Sequence, residues 1–90
     1  MIKSNIIYSC GFREEFLKLP KNIVDLAIKK EKIFKENPFH SSLRLHALKG
    51  RLNGLWSISV NSKYRIIFKY KEEGNILFIS IGKHDIYRSL

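Results

Sequence analysis

Apolar residues recur along this chain with two different periods, and the change from one to the other divides it near the middle. Phe12, Phe16 and Leu19 stand at i, i+4 and i+7, the spacing that lines one face of a helix. Pro20 interrupts that helix, because its ring clashes with the preceding turn and it offers no amide hydrogen. Beyond it Ile23, Leu26, Ala27, Ile33 and Phe34 form a second helical stripe, with Asn22 and Asp25 related as in a capping box. Asn37-Pro38 ends this helix, whose Lys/Glu-rich opposite face is expected in solvent. Ahead of both helices, residues 5–8 are β-rich and too short for a helix, so they read as a strand.

After residue 55 the period falls to two. Trp56, Ile58 and Val60 alternate with Ser57 and Ser59, the mark of a strand with one buried face. Tyr64, Ile66, Phe68 and Tyr70 alternate in the same way with Arg65, Ile67, Lys69 and Lys71. Residues 76–81 are almost continuously apolar, as in a central strand covered on both sides. Asn61-Ser62 and Glu72-Glu73-Gly74-Asn75 supply hairpin-type connections, with Gly74 offering the positive φ that such turns often need. The expected fold class is α+β in the order β-α-α-β-β-β, a helical hairpin packed on an antiparallel sheet.

Length and composition narrow the choices. Ninety residues, 44% of them hydrophobic, suffice for one globular core, so residues 1–90 read as a single domain. No repeat or Pro/Gly/Ser linker suggests a boundary. Seventeen Lys and Arg oppose eight Asp and Glu, a formal net of +9. Residues 41–90 hold nine of these cations but only three of the acids. An excess of this size attracts polyanions at long range, which makes nucleic acid, an acidic protein or an anionic surface the partners to weigh. A single cysteine, Cys10, rules out an internal disulfide framework and is read as a small buried residue. No apolar run approaches the roughly 20 residues that span a bilayer, and no signal peptide is evident. The expected setting is cytoplasmic, with no membrane partner.

Three segments carry candidate chemistry. In the first, Arg44, His46, Lys49 and Arg51 lie close to Gly50 and Gly54, a basic loop in which a phosphate can approach the backbone. The plainer reading is a solvated connection whose Leu45 and Leu48 plug the core. In the second, Lys63-Tyr64-Arg65, the guanidinium of Arg65 projects from a strand, either to clamp a phosphate or to pair with a carboxylate such as Glu14 or Asp85. In the third, Lys83-His84-Asp85 and Tyr87 follow the apolar strand directly. Imidazole exchanges a proton near neutral pH, a neighbouring carboxylate can orient it, and a tyrosine ring can stack on a base. His40, His46 and His84 lack the spacing of a zinc site, and no metal or organic cofactor is implied.

In order and spacing these pieces resemble the RelE/ParE toxin superfamily. The stretches concerned are Leu48-Lys49-Gly50, then Gly54-Leu55-Trp56-Ser57-Ile58-Ser59-Val60, then Tyr64-Arg65-Ile66-Ile67-Phe68, and last Ile79-Ser80-Ile81-Gly82-Lys83-His84-Asp85-Ile86-Tyr87. Members are toxins of bacterial type II toxin–antitoxin modules. Some branches cleave messenger RNA in the ribosomal A site; ParE-like branches poison DNA gyrase without being nucleases. By its histidines the chain is most similar to the YafQ-like branch. His46 and His84 match two of that branch's histidines, Tyr87 its C-terminal aromatic position, and Tyr64 a position where it has tryptophan. Arg65 matches the arginine of a Tyr-Arg pair found throughout the superfamily. Two positions depart from the branch: Ser59 replaces a histidine and Ser80 an arginine.

The resemblance implies a ribosome-dependent mRNA endoribonuclease that works by metal-free attack of a 2′-OH on the adjacent phosphorus. His46 and His84 would share the acid and base work, with Arg65 and Tyr87 completing the catalytic set. Arg44, Lys49, Arg51, Lys63, Tyr64, Lys83 and Asp85 would contact RNA phosphates or bases. The implied partners are mRNA on the ribosome and a cognate antitoxin, through which the complex would bind operator DNA. Two other roles remain open under the same resemblance, a gyrase poison and a degenerate toxin that only binds its antitoxin.

Overall fold

The computed structural model describes residues 5–90, apart from the side chains of His84 and Ser89. Strand β1 (Ile6–Tyr8) leads into helices α1 (Cys10–Leu17) and α2 (Lys21–Glu36). Strands β2 (His46–Ala47), β3 (Trp56–Ser59), β4 (Tyr64–Tyr70) and β5 (Ile76–Lys83) follow, and the chain closes with a 3-10 turn over His84–Ser89. The sheet has the order β1-β5-β4-β3-β2.

The expected α+β order is present, and the sheet adds two features to it. The strands pair antiparallel from β2 to β5, but β1 runs parallel to β5, so the sheet is mixed. Strand β2 has only two residues, too few for an alternation to register in the sequence.

Local chemistry sets the helix boundaries. Ser9 caps α1, its hydroxyl accepting the Phe12 amide at 3.0 Å. Pro20 then separates the helices as expected, since it disfavours helical geometry in the residue before it. The capping box expected from Asn22 and Asp25 is not formed. Pro20 itself stands at the cap, its position extended at φ −58 and ψ 149, and no side chain bonds the first amides. Asp25 accepts instead from Lys21, one turn back on the exposed surface, at 3.3 Å.

The core lies between the two helices and one face of the sheet. Phe12, Ile23, Ala27 and Phe34 from the helices meet Ile58, Ile66, Phe68, Ile76, Phe78 and Ile81 from the strands. Phe34, Phe68 and Phe78 have no exposed surface. The other face is covered too, which the alternation in β3 did not suggest: Ser57 is 0% exposed and Ser59 7%. Serine is small enough for a second layer of chain to close over it. That layer includes Ile86, and Gly82 lets it approach, since a Cβ at Gly82 would stand 2.4 Å from the Ile86 Cγ2.

Where β1 ends, α1 takes over the edge of β5. The Ser9 amide donates to the Phe78 carbonyl at 3.0 Å and its hydroxyl to that of Ile79 at 2.8 Å. Glu15 accepts from the Ser80 hydroxyl at 2.8 Å and the Ile81 amide at 3.3 Å. Cys10, expected inside, is exposed in the first turn of α1. It lies on the side of that helix away from Phe12. Among the described residues no helix is long and apolar enough to cross a membrane.

Candidate functional site

A concavity of about 360 Å³ opens on the face of the sheet away from the helices, lined by His46, Leu48, Lys49, Leu52, Arg65 and Tyr87. Four residues singled out in the sequence therefore meet there from four elements. His46 comes from the edge strand β2 and Lys49 from the loop after it. Arg65 comes from the middle of the sheet and Tyr87 from the closing turn.

The hydrogen bond made by His46 fixes which of its nitrogens can do chemistry. Its Nδ1 lies 3.0 Å from the Arg44 carbonyl oxygen. A carbonyl only accepts, so Nδ1 carries the hydrogen and Nε2 of the neutral ring is the basic nitrogen. Arg44 presents that carbonyl from a left-handed backbone, φ 49 and ψ 47, at the end of the turn Ser41–Leu43. His46 itself is exposed, as a proton-exchanging group must be.

Arg65 is half-buried and pairs with neither Glu14 nor Asp85. Its Nη1 donates to the carbonyls of Asn61 at 2.6 Å and Tyr64 at 3.1 Å. No bond from its Nη2 or Nε is made among the described residues, so the guanidinium is anchored by one end with charge to spare for an anion. Tyr87 is held by its hydroxyl, 3.2 Å from the hydroxyl of Ser57. Ser57 is the positioning residue that sequence reading missed. Its alternation with Trp56 and Ile58 marked it as outward-facing, and nothing in the sequence shows that the closing turn folds over it.

The remaining predicted residues lie elsewhere. Tyr64 packs against the aliphatic core, on the face opposite the concavity, because it shares the inward phase of Ile66 and Phe68. The Arg51 guanidinium is committed to main-chain carbonyls, donating to Tyr87 at 2.6 Å and also to Leu90, so it braces the turn that carries Tyr87. Arg44 lines a separate polar pocket. Lys63, Lys83 and Asp85 are exposed and line neither hollow. His84 begins the closing turn, two residues beyond Gly82; its side chain is outside the described set. His40 caps the turn Ser41–Leu43, its Nδ1 accepting the Ser42 amide at 3.2 Å. Ser59 and Ser80, the two departures from the YafQ-like pattern, both turn to internal partners, the Asn61 carbonyl and Glu15, each at 2.8 Å. Among the described residues no three His, Cys, Asp or Glu side chains group as a metal site.

A second hollow, of about 460 Å³, is apolar and lies between the helices, with Phe12, Phe16, Leu17 and Ile28 in its lining. Its polar lining comes from Arg13 and from the Tyr8 hydroxyl, which donates to Glu31. Burial first, and then the Glu31 carboxylate, push the Tyr8 phenol up to about 12. That pair ties β1 to α2.

No curated protein matches this chain. A family model described as the RelE-like toxin of the type II toxin–antitoxin system HigB matches residues 2–84. Among solved structures, YafQ from E. coli strain BL21(DE3) is 18% identical with a TM-score of 0.76, over 94% of this chain and 98% of its own. The YoeB/ParE toxin from Agrobacterium tumefaciens is 17% identical with a TM-score of 0.75, over 89% and 98%. The YoeB–YefM complex from Staphylococcus aureus contains a chain 21% identical with a TM-score of 0.72, over 91% and 98%. At these identities the solved structures speak for a shared fold.

Proposed function

The chain belongs to the HigB-like family of RelE-like toxins of type II toxin–antitoxin systems, within the superfamily its motifs resemble, and we propose that it is a ribosome-dependent mRNA endoribonuclease. One observation carries this reading. His46, Lys49, Arg65 and Tyr87 line a single hollow of about 360 Å³, which supports a reading with a base, two cations and a stacking ring at one site.

In this mechanism His46 Nε2 takes the proton of the RNA 2′-OH, and the oxygen attacks the adjacent phosphorus. The 5′-oxygen leaves with a proton from the acid, a role that falls to His84. The cyclic phosphate product follows from that attack. Arg65 and Lys49 meet the negative charge that grows on the phosphorane oxygens, the usual means by which fixed cations lower such a barrier. Tyr87, positioned through Ser57, stacks on a neighbouring base.

The related structures include toxin–antitoxin complexes, among them YoeB–YefM from Staphylococcus aureus and RelBE2 from Mycobacterium tuberculosis. By analogy a cognate antitoxin holds this chain in check in the cytoplasm and carries the complex to operator DNA. The net charge of +9 would speed capture of an acidic partner as well as of RNA.

Mapping RNA ends on translating messages after induction tests the reading. Positioned proton transfer contributes about 10²–10⁴-fold, so His46→Ala and His84→Ala should each lower single-turnover cleavage on ribosomes by that order while remaining folded. Full cleavage by either folded variant removes that histidine from the mechanism. Intact messages with gyrase-linked DNA breaks would make the protein a gyrase poison. Neither effect, with antitoxin binding retained, would leave a degenerate toxin.

A further inference from the structure

The polar pocket lined by Arg44 has no part in the mechanism above. It encloses about 270 Å³, and its lining includes Lys30 from α2, Ser41 and Arg44 from the turn after it, and Asn61 and Ser62 between β3 and β4. None of its lining residues is acidic, and Val60 is the sole apolar one. Lys30 Nζ reaches the Ser42 carbonyl at 3.5 Å, which ties the ammonium to the pocket wall. Neither Lys30 nor Arg44 has a carboxylate partner among the described residues, where the ion pair formed is Lys21–Asp25. The hydroxyls of Ser41 and Ser62 make no hydrogen bond among those residues. Two uncompensated cations beside free hydroxyl donors form a setting that favours phosphate oxygens.

Two residues join this pocket to the concavity. The Arg44 main chain holds His46 through its carbonyl, at 3.0 Å, and the same residue lines the pocket. Asn61 lines the pocket, and its carbonyl takes the Arg65 guanidinium at 2.6 Å. Through Arg44 and Asn61 the pocket therefore neighbours the His46–Arg65 concavity, on the side where a strand flanking the scissile linkage could continue. A protein segment would need apolar anchors that this lining lacks.

We propose that the Lys30–Arg44 pocket is a second phosphate subsite, which binds a backbone phosphate of the RNA strand flanking the scissile linkage. This inference rests on the ribonuclease reading and adds to it a grip on substrate outside the catalytic concavity.

Anisotropy of a non-cleavable 2′-O-methyl RNA oligonucleotide, measured across a salt series, tests it. For single strands each neutralised phosphate contributes about 0.7 to the slope of log affinity against log salt. Lys30→Gln and Arg44→Gln should each lower that slope, by about 0.7 when combined, and each weaken binding about tenfold at low salt. Lys30→Arg and Arg44→Lys should restore both. If wild type binds and the glutamine variants keep its slope, the subsite is overturned and the ribonuclease reading stands. Lost affinity for the antitoxin with RNA affinity intact also overturns it, in favour of an acidic protein. A wild type that neither binds nor cleaves RNA brings both down. Should a glutamine variant unfold, the Ser41 and Ser62 amide signals of wild type decide: they shift on adding the oligonucleotide if the subsite is real, and stay still if it is not.

Discussion

On the helix-covered face of the sheet, Phe34, Phe68 and Phe78 meet with ring centroids 5.1 to 6.1 Å apart and no exposure. On the other face the buried groups include Ser57, Ser59, Ile67 and Ser80, and one short turn carrying Ile86 supplies part of the cover. The first face holds large apolar rings in mutual contact, the arrangement that contributes most to stability in a small domain. The second leaves a hollow because its residues are small or polar and its covering layer is thin. Stability and chemistry are thus assigned to opposite sides of a single layer of strands. Substitutions can be aimed at either one.

The largest effect should come from the first face. Phe78→Ala removes a fully buried ring that touches Tyr8, Phe12, Phe34 and Phe68, and should cost about 3–5 kcal/mol in urea unfolding. That is a large share of the roughly 5–15 kcal/mol that holds a typical domain. A loss below 1 kcal/mol would mean that the rings are not the main support.

Gly82→Ala probes the second face. Its new Cβ would stand 2.4 Å from Ile86, so the closing turn must lift, at about 1–3 kcal/mol for such overpacking. Tyr87 rides on that turn, so cleavage should fall by more than tenfold in a protein that still folds. Unfolding and single-turnover assays on the same preparation separate the two effects. Unchanged activity would detach the turn from the mechanism.

The smallest effect lies at the rim of the core, where Tyr8 donates to Glu31. Tyr8→Phe should cost about 1 kcal/mol near neutral pH, the usual worth of one hydrogen bond. The phenol keeps its proton to about 12 in the fold but only to about 10 in the unfolded chain. Its contribution is therefore complete below pH 10 and fades as pH rises from 10 to 12. Burial also raises the Tyr70 phenol, so the variant should flatten this alkaline decline without abolishing it. Equal slopes in the two proteins would show that Tyr8 takes no part.

The face that repeats was legible in the sequence, and the face that does not was only partly so. Phe12, Ile23, Ala27, Phe34, Ile58, Ile66 and Phe68 follow helical or strand periods, so their burial could be read directly. His46, Lys49, Arg65 and Tyr87 could be named as chemical candidates, and the fold gathers them. Their companions could not be sorted in advance. Arg51 looks like Lys49 in one dimension, yet it bonds main-chain carbonyls across the molecule. Tyr64 is the exception: only the resemblance made it an RNA contact, and its strand phase, shared with Ile66 and Phe68, already pointed to the core where it packs. The partners of Ser57 and Ser80 lie 30 and 65 residues away, and no local pattern reports contacts of that range.

The attachment of α1 to the flank of β5 has one more consequence. Ser9 and Glu15 occupy main-chain groups of β5 from Phe78 to Ile81, on the margin that β1 leaves uncovered. A foreign β-segment seeking to lengthen the ladder along that margin would first have to prise the helix away. The covered stretch thereby guards the monomer against edge-to-edge polymerisation, and it directs any partner that binds by strand addition to the outer strands β1 and β2.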